Sequence, residues 1–249
     1  MNLNQAYGLS RSLAVYYGRP WKAFKMLKLY SQFLSEGDLA FDVGSHVGNR
    51  ALIWSVLGVK VVAVEPQALF ASFLNLLFTG NKKVTVLKMG LDEVCGNQNI
   101  LVSDKTPTVS SLKTNWCEEV REDARFEKID WNRNEEIVVK RLEDLIEEYG
   151  EPKFCKIDVE GNEYSVLKGL DTALKSLSFE YLPILNDATI KCVERIEKLA
   201  AYEYNWSETE SMNFKSRNWL NADDMIQQIL QIKPMARSGD IYARKMALT

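Results

Sequence analysis

Short apolar runs recur at residues 39–43, 60–64, 84–88, 154–158, 177–182, 201–206 and 240–246, and up to the sixth they alternate with stretches of helical periodicity. Strands buried on both faces read as continuous apolar runs, and strands alternating with helices predict an α/β fold with a mostly parallel sheet covered on both sides. Ser238-Gly239 leads into the last run and leaves no room for a crossover helix after Met235. Two segments fall outside the alternation. In the first, residues 1–36, Trp21, Phe24, Leu27 and Phe33 recur at helix-like spacing between Pro20 and Leu34, with Lys22, Lys25 and Lys28 beside them. This predicts a helical extension that docks by one apolar face. The second, residues 104–136, is charged, carries Pro107, Trp116, Phe126 and Trp131, and precedes a short strand at 137–140. Loops of this length inside a compact domain are often lids or binding loops, and its aromatics suit stacking on a sugar or another flat face; the alternative is surface decoration.

The glycine-bounded strand at 39–43 carries the first chemical signal: Asp42-Val43-Gly44-Ser45-His46-Val47-Gly48 turns into a helix expected over 51–57. Glycines there let a backbone approach a ligand closely, and a strand-to-helix turn is expected to present free N–H groups to it. The next strand ends in Glu65-Pro66, where a doubly wound fold places the acid that accepts hydrogen bonds from a ribose. His46 stands where the dinucleotide fingerprint G-x-G-x-x-G needs its middle glycine, which argues against NAD.

Composition narrows the picture. A chain of 249 residues, 46% hydrophobic and 26% charged, suffices for one sizeable core. A net charge of −3 gives no general attraction to nucleic acid, which is not expected as a partner. No run approaches the roughly 20 apolar residues of a membrane span, and no cleavable leader is apparent. Cys95, Cys117, Cys155 and Cys192 lack C-x-x-C spacing and read as free thiols of a reducing, cytoplasmic compartment; with one histidine there is no zinc pattern.

The D-x-G-x-x-x-G loop followed by Glu-Pro resembles motif I and the acidic loop of class I S-adenosylmethionine-dependent methyltransferases. Lys156-Ile157-Asp158-Val159-Glu160-Gly161-Asn162-Glu163, continuing to Val166-Leu167-Lys168-Gly169, resembles the signature of the FkbM family within that class. Ser110-Ser111-Leu112, Phe179-Glu180 and the closing Asp240-Ile241-Tyr242-Ala243-Arg244 extend the likeness, so that it runs from about Gly37 to Met246. It implies a Rossmann-like seven-stranded sheet with an antiparallel last strand, a methyltransferase domain over 37–249, and S-adenosylmethionine as cofactor. It further implies cofactor contacts from Asp42, Gly44, Ser45, His46, Gly48 and Glu65, with Asp92 or its neighbour Glu93 at the adenine. The acceptor it implies is a hydroxyl on a sugar, glycan or secondary metabolite. The chain departs from the family in carrying Ser45-His46 where Ala-Asn is usual.

Methylating a neutral hydroxyl asks for a general base or a metal beside the acceptor oxygen. Asp158 and Glu180 stand at the carboxyl ends of strands, where open α/β sheets bind ligands, and are the candidate catalytic acids. Lys156 shares a face with Asp158, so the alternative for Asp158 is a buried ion pair that orients the loop. Glu160 and Ser111 are candidate substrate contacts, Glu163 is read as a helix-start acid, and His46 as a base or a cover for the cofactor. No metal is expected, although carboxylates suit hard cations. Two readings compete: a non-catalytic cofactor-binding protein, and a short-chain oxidoreductase built on Tyr149-x-x-x-Lys153, which Gly150 and Pro152 disqualify by breaking the helix that pair needs.

Overall fold

The computed structural model describes residues 1–110 and 129–247. In chain order its strands are β1 (Leu39–Val43), β2 (Lys60–Val64), β3 (Val84–Leu87), β4 (Gly90–Leu91), β5 (Gly96–Val102), β6 (Arg133–Lys140), β7 (Phe154–Ile157), β8 (Ser176–Tyr181), β9 (Tyr202–Glu208) and β10 (Gly239–Lys245). Seven of them form one sheet in the order β3-β2-β1-β7-β8-β10-β9. Pairing is parallel from β3 through β8, and β10 runs antiparallel to both β8 and β9, as the resemblance implied.

Helices cover both faces. Alternation sends Phe41, Val43, Cys155, Ile157, Leu177 and Phe179 to one side, into a core shared with α5 (Leu142–Tyr149), α6 (Glu163–Lys168), α7 (Asn186–Glu197) and α8 (Ala222–Gln231). Ala40, Val61, Ala63, Phe154 and Tyr242 face the other side. There they meet α2 (Trp21–Tyr30) and α3 (Asn49–Val56), with Leu74 of α4 (Ala68–Leu77). The remaining described helix, α1 (Leu3–Tyr17), opens with Asn2 and Gln5 capping each other's backbone N–H groups.

The N-terminal segment docks by a different stripe from the expected one. Met26, Leu29 and Tyr30 are buried at i, i+3 and i+4, with Leu27 and Phe33 partly buried beside them, while Trp21 and Phe24 are 59% and 74% exposed. A helix of ten residues has only about three turns to offer, and the turn nearest the sheet decides which side is inside. Of the charged insertion, residues 111–128, with Trp116 and Phe126, lie outside the described residues, and its end belongs to a longer strand than the expected 137–140. β6 begins at Arg133 and pairs antiparallel with β5, and Ile100, Val102, Ile137 and Val139 make a small separate core. β5 escaped the pattern because its first four residues, Gly96-Asn97-Gln98-Asn99, are polar or glycine and only its end alternates.

On the face of the sheet toward α2 and α3, a polar layer lies beneath the strand ends. Lys156, fully buried, sends Nζ to Asp240 Oδ1 at 2.6 Å and to Asp158 Oδ2 at 3.3 Å. Between Lys156 on β7 and Asp240 on β10 lies β8, whose residue level with Lys156 is the small, buried Ser178. That choice leaves room for the lysine chain to cross. Removing one partner of a buried pair strands the other charge, so Lys156→Met should lower the unfolding free energy by roughly 3–5 kcal/mol, and adding Asp240→Asn should recover part of it. Urea denaturation of the single and double variants checks this; a loss below about 1 kcal/mol for the single variant would contradict it.

Candidate active site

The glycine loop is held chiefly by its own strands. Gly44 N and Ser45 N donate to Val64 O at 2.9 and 3.0 Å, Gly48 N donates to Ser45 O, and His46 N donates to Glu65 Oε2 at 2.8 Å. The expectation that these amides stay free for a ligand therefore fails: a turn between two parallel strands satisfies its donors on the neighbouring strand first. The outer glycines have other reasons to be glycine. Gly44 has φ +83°, and a Cβ there would lie 1.8 Å from Asp158 O; Gly48, at φ +71°, would strike Leu74. Both serve close packing at positive φ.

Above the carboxyl ends of β1, β2 and β7 lies a cavity with about 730 Å³ of space free of protein atoms, open solvent included. Gly44, His46, Glu65, Asp158 and Glu160 line it, together with an apolar bracket of Pro66, Met89, Leu91 and Ile100. Glu65 is 2% exposed, and its two oxygens accept from the backbone N–H groups of Gln67 and His46. Burial pushes its carboxyl up to about 7 against those two bonds. His46 has a positive φ of 49°, its ring lies 4.4 Å from that of Phe70, and burial lowers its imidazole to about 4. At neutral pH it is an uncharged wall rather than a poised base, with Nε2 buried and without a protein partner among the described residues.

Several expected contacts stand elsewhere. Asp42 and Ser45 are buried and, like Gly48, do not line the cavity; Ser45 Oγ donates to the Asp42 carbonyl at 2.6 Å. Asp92 accepts from Gln98 Nε2 at 2.6 Å and from Glu93 N, while Glu93 pairs with Lys168. Neither lines the cavity, whose wall here is Met89, Gly90 and Leu91; Gly90–Leu91 is strand β4 of the small sheet, and the chain leaves the wall after it. Ser111 lies outside the described residues. Glu163 accepts from Val159 N and Gly161 N, the local structural role expected of it. Tyr149 ends α5 and Lys153 lies just before β7, where its N–H donates to Leu39 O at the amino end of β1, far along the strands from the cavity. The oxidoreductase pair therefore forms no site.

Asp158, Glu160 and Glu180 do come together: one carboxylate oxygen from each lies within 4.8 Å of the others. Burial works to raise Asp158, but Lys156 and then Arg50 outweigh it and hold the carboxyl below its ordinary value. Burial, followed by the charge of Asp158, raises Glu160 and Glu180 well above theirs. Such a group can be held in two ways, by protons kept on the two glutamates or by one hard cation that three oxygens can ligate. The expectation of no metal thus meets a set of ligands suited to one.

Three partners escaped the sequence reading. Arg50 Nη2 lies 3.5 Å from Asp158 Oδ2 and 3.0 Å from Glu210 Oε1. Its signal was an arginine among the inward-facing residues of α3, beside Ala51, Ile53 and Trp54. Asp240, already part of the closing-strand likeness, sits 84 residues from Lys156, and nothing local marked it as that lysine's partner. Tyr16, carried by α1, lines the cavity beside His46, with its ring centroid 5.5 Å away.

The family model described as the methyltransferase FkbM domain matches residues 42–229. The chain belongs to the FkbM methyltransferase family. A curated relative, the hexuronic acid methyltransferase AglP of Haloferax volcanii, is 27% identical over 164 residues, which span 64% of this chain and 61% of that protein. The match thus leaves more than a third of AglP uncovered. Among solved structures, a precorrin-6y C5,15-methyltransferase from Geobacter metallireducens aligns with a TM-score of 0.47 and 14% identity, over 90% of this chain and 87% of that one. A TehB-like methyltransferase from Corynebacterium glutamicum aligns at 0.46 and 9%, over 95% and 100%. Among the described residues of this family member, no helix is long and apolar enough to cross a membrane.

The buried acids give this family member a pH signature. Glu65 and Glu163 each hold a proton up to about 7 when folded, against 4.5 for the free side chain. Across that window the folded state binds more protons than the unfolded chain, so stability should fall as pH rises from about 4.5 to about 7. Glu65→Gln or Glu163→Gln should flatten the fall in denaturant titrations run across this range; an unchanged slope in both would show that neither acid is perturbed.

Proposed function

We propose that this chain binds S-adenosylmethionine in the cavity over β1 and β2 and moves its methyl group to a hydroxyl of a sugar or glycan. The observation that carries the reading is Glu65: a buried carboxylate at the end of β2, fixed by two backbone N–H groups, with lone pairs left for a ribose diol. The other walls fit the same molecule. Pro66, Met89, Leu91 and Ile100 give an apolar slot for a flat base, and Asp158, kept ionised by Lys156 and Arg50, offers negative charge where a sulfonium would lie. AglP, whose name gives a hexuronic acid as substrate, supports a sugar acceptor.

When bound, S-adenosylmethionine supplies an electrophilic methyl that needs no further activation. The protein's share is to position the acceptor and take its proton. Asp158, kept ionised by Lys156 and Arg50, is fitted to accept a hydrogen bond from the acceptor hydroxyl and orient its oxygen. Glu180, with Oε2 buried and unpartnered among the described residues, is the stronger base once ionised and is assigned the proton; Glu160 shapes the acceptor side. His46 covers the cofactor.

Calorimetric titration with S-adenosylhomocysteine tests the cofactor half. Glu65→Ala should weaken binding by roughly a hundredfold, through the loss of two hydrogen bonds to a charged acceptor. Affinity for the native chain should rise about tenfold between roughly pH 6 and 8 as Glu65 ionises, since only the carboxylate accepts from both hydroxyls, and Glu65→Gln should abolish that rise. Unchanged affinity in Glu65→Ala would place the ribose elsewhere. For the chemical half, Asp158→Asn and Glu180→Gln should each cut methyl transfer to sugar hydroxyls by about 100-fold or more while binding S-adenosylhomocysteine as the native chain does. Turnover that survives both changes would remove the acids from the mechanism.

A further inference from the structure

The carboxyl ends of β8 and β9 open onto a second depression, on the opposite side of the sheet from Glu180. Successive residues of a strand point to opposite faces, so Glu180 turns toward the acid group while Tyr181 turns into this groove. A narrower depression is lined by Tyr164, Glu180 and Leu182. The consecutive residues 180–182 thus link the acid group, that depression and the groove.

The groove's lining has the chemistry of a sugar subsite. Half-buried Trp206 supplies aromatic surface, backed by the buried ring of Tyr181; Gln228 and Gln231 supply amides that both donate and accept, and Lys233 and Arg237 stand at its margin. Lys233 and Arg237 are exposed and pair with no acid among the described residues, whereas the groove's own acid, Glu208, is taken by Lys215 at 3.0 Å. The groove therefore has an excess of positive charge, while the inner site has an excess of acid. A chain-like acceptor with a negative group near its reacting hydroxyl would find no unpaired cation there among the described residues, because Lys156 and Arg50 are held by Asp158, Asp240 and Glu210. One with the negative group a sugar unit or more away would be drawn into register.

Building on the sugar-acceptor reading, we infer that this groove binds the next unit or units of an oligosaccharide acceptor, and that the bound unit carries an anionic group held by Lys233 and Arg237. Uronate carboxylates, sulfates and phosphates share that chemistry. Aromatic faces take the sugar's C–H surface, the glutamine amides take its hydroxyls, and the two cations fix which end points toward Asp158.

The test is calorimetry on the whole chain loaded with S-adenosylhomocysteine, titrated with tetragalacturonate, with sulfated and phosphorylated maltotetraose, and with neutral maltotetraose. At least one anionic tetramer should bind about tenfold more tightly than the neutral one, with the advantage shrinking as salt rises. K233A/R237A should erase that advantage, and Q228A/Q231A should weaken all tetramers alike; the affinity for S-adenosylhomocysteine serves as the control for intact folding. Comparing the three anionic probes identifies which group the site takes. Equal binding of anionic and neutral tetramers, absence of binding by all four, or a preference that survives K233A/R237A overturns the inference. If anionic tetramers bind but S-adenosylhomocysteine does not, the groove stands and the methyltransferase reading of the cavity falls.

Discussion

The buried ion pair between Lys156 and Asp240 is the interaction on which the rest of the site depends. A lysine with no exposed surface must find anionic partners, and it finds its nearest on the one strand that runs against the others. The pair ties β10 to β7 across β8, and the same ammonium, 3.3 Å from Asp158, fixes the acid at the end of its own strand. Arg50 completes the frame from α3 by bridging Asp158 and Glu210. With two cations thus committed to Asp158, Glu210 and Asp240, Glu160 and Glu180 have no counter-charge of their own among the described residues. Burial then keeps their protons on or calls for a cation from outside, and either state leaves them able to change charge during a reaction.

The second constraint is backbone accounting in the glycine loop. Four of its N–H groups bond to protein acceptors, so the loop is a rigid floor rather than a set of open donors. Recognition of a ligand falls to side chains, chiefly Glu65, and to the apolar bracket around it. Glu65 does two jobs at once: it accepts the His46 N–H, which holds that residue at its positive φ, and it faces the cavity. Fixing an acid with backbone donors before any ligand arrives lowers the ordering cost of binding.

The N-terminal helices belong to the same machinery although the family match begins only at Asp42. Met26, Leu29 and Tyr30 of α2 fill the core against Trp54 and Phe154, and α1 reaches the cavity through Tyr16. There Tyr17 donates to Val47 O at 2.8 Å, Asn2 and Gln5 reach Asp104, and Gly8 lies so close to Asp104 O that a Cβ would come within 2.2 Å of it. Tyr16 enters the cavity lining from this helix, where burial and the charge of Glu210 raise its phenol and keep it neutral. A neutral phenol can donate one hydrogen bond and accept others, which adds an adaptable group to an acid-rich pocket.

What the sequence determined by itself was whatever depends on neighbours along the chain. The runs at 39–43 and 60–64 became strands with those same limits, because continuous apolar residues bounded by glycine and acid need no distant partner to be recognised. Glu65, Asp158 and Glu180 were placed on one rim by strand ends alone, and the Lys156-to-Gly169 signature pointed to the family. Tertiary structure decided the rest. It chose Met26 and Leu29 over Trp21 and Phe24 as the docking face, paired the polar strand β5 with β6, and carried the chain at Asp92 away from the cavity. It also set Arg50, Tyr16 and Asp240 around the acids. Those outcomes turn on which surfaces and charges meet across dozens of residues, and periodicity reports only which side of an element is apolar, not what stands opposite it.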